Sequence, residues 1–225
     1  MMRRLLFPLL LGLFGVAVLG SLCVWQVQRL QWKKGVLLEI DQRIGAPPLP
    51  LPRAATAEWD NFQPVRVKGR LSAPHLYVLV SRQGFGPGFR VISPFETDGR
   101  RVLLDQGFLA ETETLEQSIT GDRFEITGNL HWPDETDRLF TPEPDGALWF
   151  ARDVEAMADT LGTEPLLIVL RHSEPIIGQL RPWPVDSAGI PNNHRNYAIT
   201  WFLLALAWCG MTALWVWRIR RGREG

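Results

Sequence analysis

Leu5-Leu6-Phe7-Pro8-Leu9-Leu10-Leu11-Gly12-Leu13-Phe14-Gly15-Val16-Ala17-Val18-Leu19-Gly20-Ser21-Leu22-Cys23-Val24 decides the architecture, because these 20 residues carry no charge. As an α-helix the stretch rises about 30 Å, the thickness of a hydrocarbon core. A second charge-free run of the same length covers residues 198–217. Arg3 and Arg4 precede the first run, and Arg218, Arg220, Arg221 and Arg223 follow the second. The positive-inside bias then sets both termini in the cytoplasm and the chain between the spans on the opposite side. A cleaved signal peptide is not expected, since the apolar run exceeds the roughly 7–15 residues of such a segment and no A-x-A-like site follows. Gly20-Ser21-Leu22-Cys23 resembles a lipidation site only superficially, because bulky Leu22 stands where processing wants a small residue.

Between the spans the charge balance shifts. Residues 30–196 hold 17 Lys and Arg against 23 Asp and Glu, an excess of six acids that gives no electrostatic reason to bind nucleic acid. Ten Trp against two Tyr suits a chain that works at a membrane boundary. Cys23 and Cys209 both lie in the apolar runs, so the middle has neither a disulfide framework nor a thiolate metal site. Their depths differ, and both read as small apolar packers.

The first helix is expected to continue past the membrane surface. Trp25, Arg29 and Trp32 recur at i, i+4 and i+7, and only Gly35 interrupts residues 33–40. Ala46-Pro47-Pro48-Leu49-Pro50-Leu51-Pro52 then stops the helix and enforces an extended linker. From Phe62 the period becomes two: Val65-Arg66-Val67-Lys68-Gly69-Arg70-Leu71 alternates apolar with basic. Residues 76–80, 89–95, 101–104 and 124–130 read as further strands, with turns at Asp98-Gly99 and Thr120-Gly121-Asp122. Residues 153–161 form an amphipathic helix stopped by Gly162, and 166–170 a buried strand. The expected fold is a membrane hairpin of two transmembrane α-helices flanking an α+β, antiparallel-sheet-rich, barrel-like extracytoplasmic domain. The expected organisation runs from a cytoplasmic N-terminus (1–4) and a span (5–24) to a helical extension with proline-rich linker (25–53). The outer domain (54–191), a membrane-entering segment (192–197), the second span (198–217) and a basic cytoplasmic tail (218–225) follow.

Enzyme signatures are missing: the sequence has no H-E-x-x-H, G-x-S-x-G, Walker loop or C-x-x-C. Gly84-Phe85-Gly86-Pro87-Gly88 reads as a mobile turn, since no helix follows to complete a phosphate cradle. Asp134 and Glu135 read as a solvated loop. His75, His131, His172 and Met157 are too scattered for copper delivery. The informative segment is Pro191-Asn192-Asn193-His194-Arg195-Asn196-Tyr197-Ala198-Ile199-Thr200-Trp201-Phe202. Asn192 or Asn193 can cap the entering helix, on which His194, Tyr197, Ala198 and Trp201 share a face. An imidazole at that boundary beside Arg195 can ligate a haem iron while arginines pair the propionates; on these residues alone an interfacial histidine in an aromatic belt is the preferred reading.

Four stretches resemble the Surfeit locus protein 1 family of cytochrome c oxidase assembly factors. Residues 20–33, containing Trp25-Gln26 with Arg29 and Trp32-Lys33, are similar to that family's G-x-W-Q-x-x-R-x-x-W-K. Val65-Arg66-Val67-Lys68-Gly69 follows, then Asp105-Gln106-Gly107-Phe108-Leu109, where the family more often has N-R-G, and last residues 193–202. The resemblance covers nearly the whole chain. It implies a non-enzymatic role in building haem–copper oxidases: binding haem a and helping its insertion into subunit I, at the bacterial inner membrane with the middle domain in the periplasm, or at the mitochondrial inner membrane. The implied iron ligand is His194, with Trp25 and Arg29 at the first helix exit; Arg195, Tyr197 and Trp201, beside His194 on the second helix by their spacing, complete the candidate site. The implied partners are subunit I, haem a synthase, other assembly factors and the lipid bilayer. A scaffold that stabilises a subunit I intermediate without haem is the alternative.

Overall fold

The computed structural model describes residues 2–82, 84–115, 122–137 and 139–221. Thr120 and Gly121 of the expected turn, and Arg223 of the basic tail, lie outside them. The chain forms two compact units, residues 1–39 with 187–225, and residues 40–186.

In the first unit, α1 (Met2–Ile44) and α4 (His194–Arg221) are both long and apolar enough to cross a membrane. Leu13 and Phe14 are each 68% exposed, so much of the apolar surface points outward, as lipid contact requires. Where the helices meet, glycines of α1 receive side chains of α4. A Cβ on Gly12 would lie 2.2 Å from Thr212 Cγ2, and one on Gly15 2.1 Å from Trp208 Nε1. Glycine therefore sets how closely these helices approach.

The second unit begins with the last turn of α1, whose end is fastened in place: Asn129 Nδ2 and Arg171 Nη1 both donate to the Ile44 carbonyl. The proline-rich stretch is extended, as its prolines demand, and it lies against the sheet. Leu49 N donates to Pro64 O at 3.0 Å and Arg66 N to Leu49 O at 2.9 Å. After a short α2 (Ala57–Asp60) come β1 (Pro64–Leu71), β2 (Leu76–Arg82), β3 (Gly86–Thr97), β4 (Arg100–Ala110), β5 (Arg123–Leu130), β6 (Leu148–Trp149), α3 (Val154–Leu161) and β7 (Leu167–Glu174). The neighbours run β1-β5-β7-β4-β3, and β1 pairs back onto β3 through Arg70↔Glu96 and Leu71↔Phe95, closing a five-stranded barrel. All its pairings are antiparallel except β4 with β7. β2 and then β6 extend the sheet beyond β3.

Closure brings backbones close. A Cβ on Gly69 would lie 2.2 Å from the Glu96 carbonyl, so the β1–β3 seam excludes a side chain there. The alternation in β1 is explained by the barrel, with Val65, Val67 and Leu71 in its core and Arg66, Lys68 and Arg70 outside. The unbroken apolar run in β7 has a different cause. Ile168 and Leu170 fill the barrel, while Leu167 and Val169 pack with Met157 and Leu161 of α3, so both faces are covered. Asp153 caps α3 by accepting from Ala156 N, and Gly162 ends it in the left-handed conformation.

Two expectations are corrected. Only Gly84 and Phe85 of the glycine-rich run form a turn; Gly86 and Gly88 belong to β3, where a Cβ on Gly88 would meet the Leu109 carbonyl at 2.3 Å. Glu135 is not merely part of a solvated loop, because it grips a buried arginine as described below.

Candidate functional site

The junction of α1 with the start of α4 is built from the stripe of α1 that recurs at helical spacing, Leu19, Leu22, Cys23 and Gln26. Cys23 Sγ donates weakly to the Ala198 carbonyl at 3.4 Å, and Ala198 is buried at that approach. One turn further along α1, Gln26 is only 7% exposed although its side chain is polar. Its Oε1 lies 2.9 Å from Nδ1 of His194, so the imidazole donates its Nδ1–H to the amide oxygen. In a neutral ring this bond selects the tautomer with its proton on Nδ1 and its lone pair on Nε2, the arrangement by which a ligating histidine is held for a metal. His194 is the first residue of α4. The Asn193 carbonyl accepts from Asn196 N and Tyr197 N, so the cap works through the main chain.

Among the described residues, none of the others singled out in the sequence has a side-chain hydrogen bond or ring contact with His194. Trp25 and Tyr197 are 53% and 54% exposed, and Trp201 is half-buried. Arg29 stacks its guanidinium 4.0 Å from the Trp32 ring, and Arg195 is exposed. Trp25 and Arg29 thus offer an aromatic face and a cation on the outward side of α1. Gln26 was quoted within the resemblance but given no role. A single polar residue continuing the inward stripe of an apolar helix was the signal that could have found it.

This chain matches the SURF1 family over residues 13–206. It belongs to the SURF1 family. It is 30% identical to Surfeit locus protein 1 of Homo sapiens, an alignment covering 91% of this chain and 75% of that protein. It is also 30% identical to Surfeit locus protein 1 of Rattus norvegicus, covering 87% and 71%. The SURF1-like protein of Dictyostelium discoideum is 28% identical, covering 86% and 90%. The matched span includes Gln26 and His194.

The second unit of this SURF1-family chain carries its own buried charge cluster. Asp105 is fully buried and takes Arg90 Nη1 and Arg152 Nη1 on one oxygen, while its other oxygen accepts from Gly107 N at 3.1 Å. Arg152 also forks onto Glu135, with Nε 3.1 Å from Oε2 and Nη2 2.5 Å from Oε1. Arg90 donates its second nitrogen to the Trp183 carbonyl and stacks on that indole at 4.4 Å. Burial alone would raise the Glu135 carboxyl, but its hydrogen bonds and charge pairing with Arg152 outweigh this and hold it below the ordinary range. Burial first, then the Arg152 charge, pushes His131 down to about 4. His131 contacts Asn61 Oδ1 at 3.1 Å, His75 is hydrogen-bonded to buried Ser93 at 2.6 Å, and exposed His172 lies 3.3 Å from Glu174. These three histidines have separate partners and do not converge.

Proposed function

We propose that this chain is a membrane-anchored, non-enzymatic assembly factor for cytochrome c oxidase that holds haem a at His194 and passes it to subunit I. The carrying observation is the Gln26–His194 hydrogen bond, because it leaves Nε2 free to bind iron. Family membership supports the oxidase role through the resemblance set out above, and the two apolar helices support a bacterial inner-membrane location with the barrel in the periplasm. The donor set fits the cargo. A neutral imidazole suits the iron, Arg29 and Arg195 offer cations for two propionates, and Trp25, Tyr197 and Trp201 offer aromatic surface for an apolar macrocycle. One histidine with no covalent attachment suits a carrier, which must release what it holds.

The test is the absorbance of the full chain purified after co-production with the haem a biosynthetic enzymes. The native chain should carry haem a, and His194→Ala should lose it while still inserting in the membrane. Full haem occupancy with an unchanged spectrum in His194→Ala would refute the ligand. A native chain that carries no haem a yet supports oxidase assembly would establish the scaffold role instead.

A further inference from the structure

The outer face of β1 carries a basic stripe that the helix junction does not use. Arg66, Lys68 and Arg70 project from the barrel, and the register sets a partner opposite each. Lys68 meets Glu125, its Nζ 3.0 Å from Oε2, and Arg66 leans on the same carboxylate at 3.8 Å. Arg70 has no such relief. Directly opposite it on β5 stands Arg123, and on its other side Glu96 of β3 is drawn to Arg101 at 3.6 Å. Across four strands the outward row reads Arg123, Arg70, Glu96, Arg101, three guanidiniums to one carboxylate. Among the described residues neither Arg70 nor Arg123 has an ion pair or side-chain hydrogen bond.

Like charges directly opposite on neighbouring strands destabilise a sheet, since their Cα atoms are only about 4.5–5.5 Å apart. A pair left in that state beside a cavity is explained by what the cavity takes. The row lines a cleft of about 740 Å³ together with Gly69, Gly99 and Phe124. We propose that Arg70 and Arg123 form a binding site for a single phosphomonoester group, on a soluble molecule or on a lipid headgroup. Each guanidinium presents a planar fork of N–H donors. Two forks supply more donors than one carboxylate can accept, whereas a doubly charged tetrahedral oxyanion has three free oxygens to share between them. Glu96 and Asp98 in the same cleft confine the attraction to one group and oppose a polyanion such as a nucleic-acid duplex.

The test uses the full chain in a neutral detergent. Titration calorimetry with inorganic phosphate probes the soluble source, and native mass spectrometry with added phosphatidic acid, whose headgroup is a phosphomonoester, probes the lipid source. At least one should show a single saturable site, weakened tenfold or more in Arg70→Gln/Arg123→Gln and unchanged in Arg53→Gln, an exposed arginine outside the row. Binding of phosphate alone assigns a soluble ester, and of lipid alone a headgroup. Without ligand the double variant should melt at or above the native temperature, because a repulsion has been removed; if it melts lower, each single variant is read instead. Equal binding by native and variant chains, or none by either probe up to about 10 mM, would overturn the proposal.

Discussion

Removing the Asp105 carboxylate is the most informative perturbation of the barrel. Its side chain is 0% exposed, and those of Arg90 and Arg152 are 7% and 11% exposed. With the Glu135 carboxylate, two cations balance two anions. Asp105→Ala leaves one uncompensated positive charge in the interior and also orphans Gly107 N. Arg152 keeps its fork on Glu135, so the loss falls on Arg90, which among the described residues keeps the Trp183 carbonyl and ring. Breaking a buried pair on one side costs about 3–5 kcal/mol, against a total domain stability on the order of 5–15 kcal/mol. Asp105→Asn keeps the shape but strands the same positive charge, and its one amide oxygen can serve either Gly107 N or the guanidiniums, so it should cost about as much as alanine, about 3–5 kcal/mol. Adding Arg90→Met to Asp105→Ala should recover part of the loss, because the stranded cation is then gone. Urea unfolding of the full chain in micelles, followed by far-ultraviolet circular dichroism, measures all three. A change below about 1 kcal/mol for Asp105→Ala would mean the guanidiniums reach water and the cluster is not a buried one.

Four further outcomes follow from the geometry. His131 is held neutral in the fold down to a pH of about 4, below its ordinary 6.5, so the unfolded chain binds the extra proton and stability should fall as pH drops from 6.5 towards 4, by up to roughly 3 kcal/mol; His131→Phe should flatten that part of the unfolding profile, and an unchanged slope would remove His131 as its source. Gly15→Leu should force Trp208 aside and spread the two helices, measured as a reduced yield of oxidative cross-linking between Cys23 and an Ala198→Cys partner; undiminished cross-linking would contradict glycine's role as the spacer. Gln26→Leu should lower haem a retention less than His194→Ala and alter the haem spectrum, since it frees the ring's tautomer without removing the ligand; a spectrum and occupancy equal to native would deny Gln26 a positioning role. Reporter fusions near Asp145 should read as outside the cytoplasm and fusions at the C-terminal end as inside it; a cytoplasmic signal at Asp145 would reverse the orientation drawn from the arginines.

What could be read from the residues depended on whether their partners were near in sequence. The spans were legible because lipid contact needs no partner at all. β1 was legible because water on one face and core on the other write an alternating pattern, and the last strand because both its faces are covered. β4 was followed only to Leu104: Asp105 and Gln106 look like a polar break, yet they are 0% and 3% exposed and are satisfied by Arg90, Arg152 and Ser93 from elsewhere in the chain. β6, two residues long, leaves no periodicity to detect. Barrel closure rests on Arg70 and Leu71 meeting Glu96 and Phe95, a pairing that no local signal announces. At the helix junction, the histidine and its aromatic neighbours stood out by spacing. Gln26 did not, because the residue that gives it meaning is 168 positions away.

The strand order has a consequence for how the barrel is made. β7 is the last strand to be synthesised, yet it sits between β5 and β4 in the ring. When the ribosome has finished β5, both of its future neighbours exist but each keeps one open edge, and the apolar interior has a gap one strand wide. The missing strand arrives only after the 44 residues from His131 to Glu174, roughly 2–9 s later at ordinary synthesis rates. Through that interval two hydrogen-bonding edges stand unpaired, a template for wrong partners. Closure then demands insertion rather than addition, so a chain stalled before Leu167 is a split cylinder, and folding of the barrel is timed by the arrival of β7.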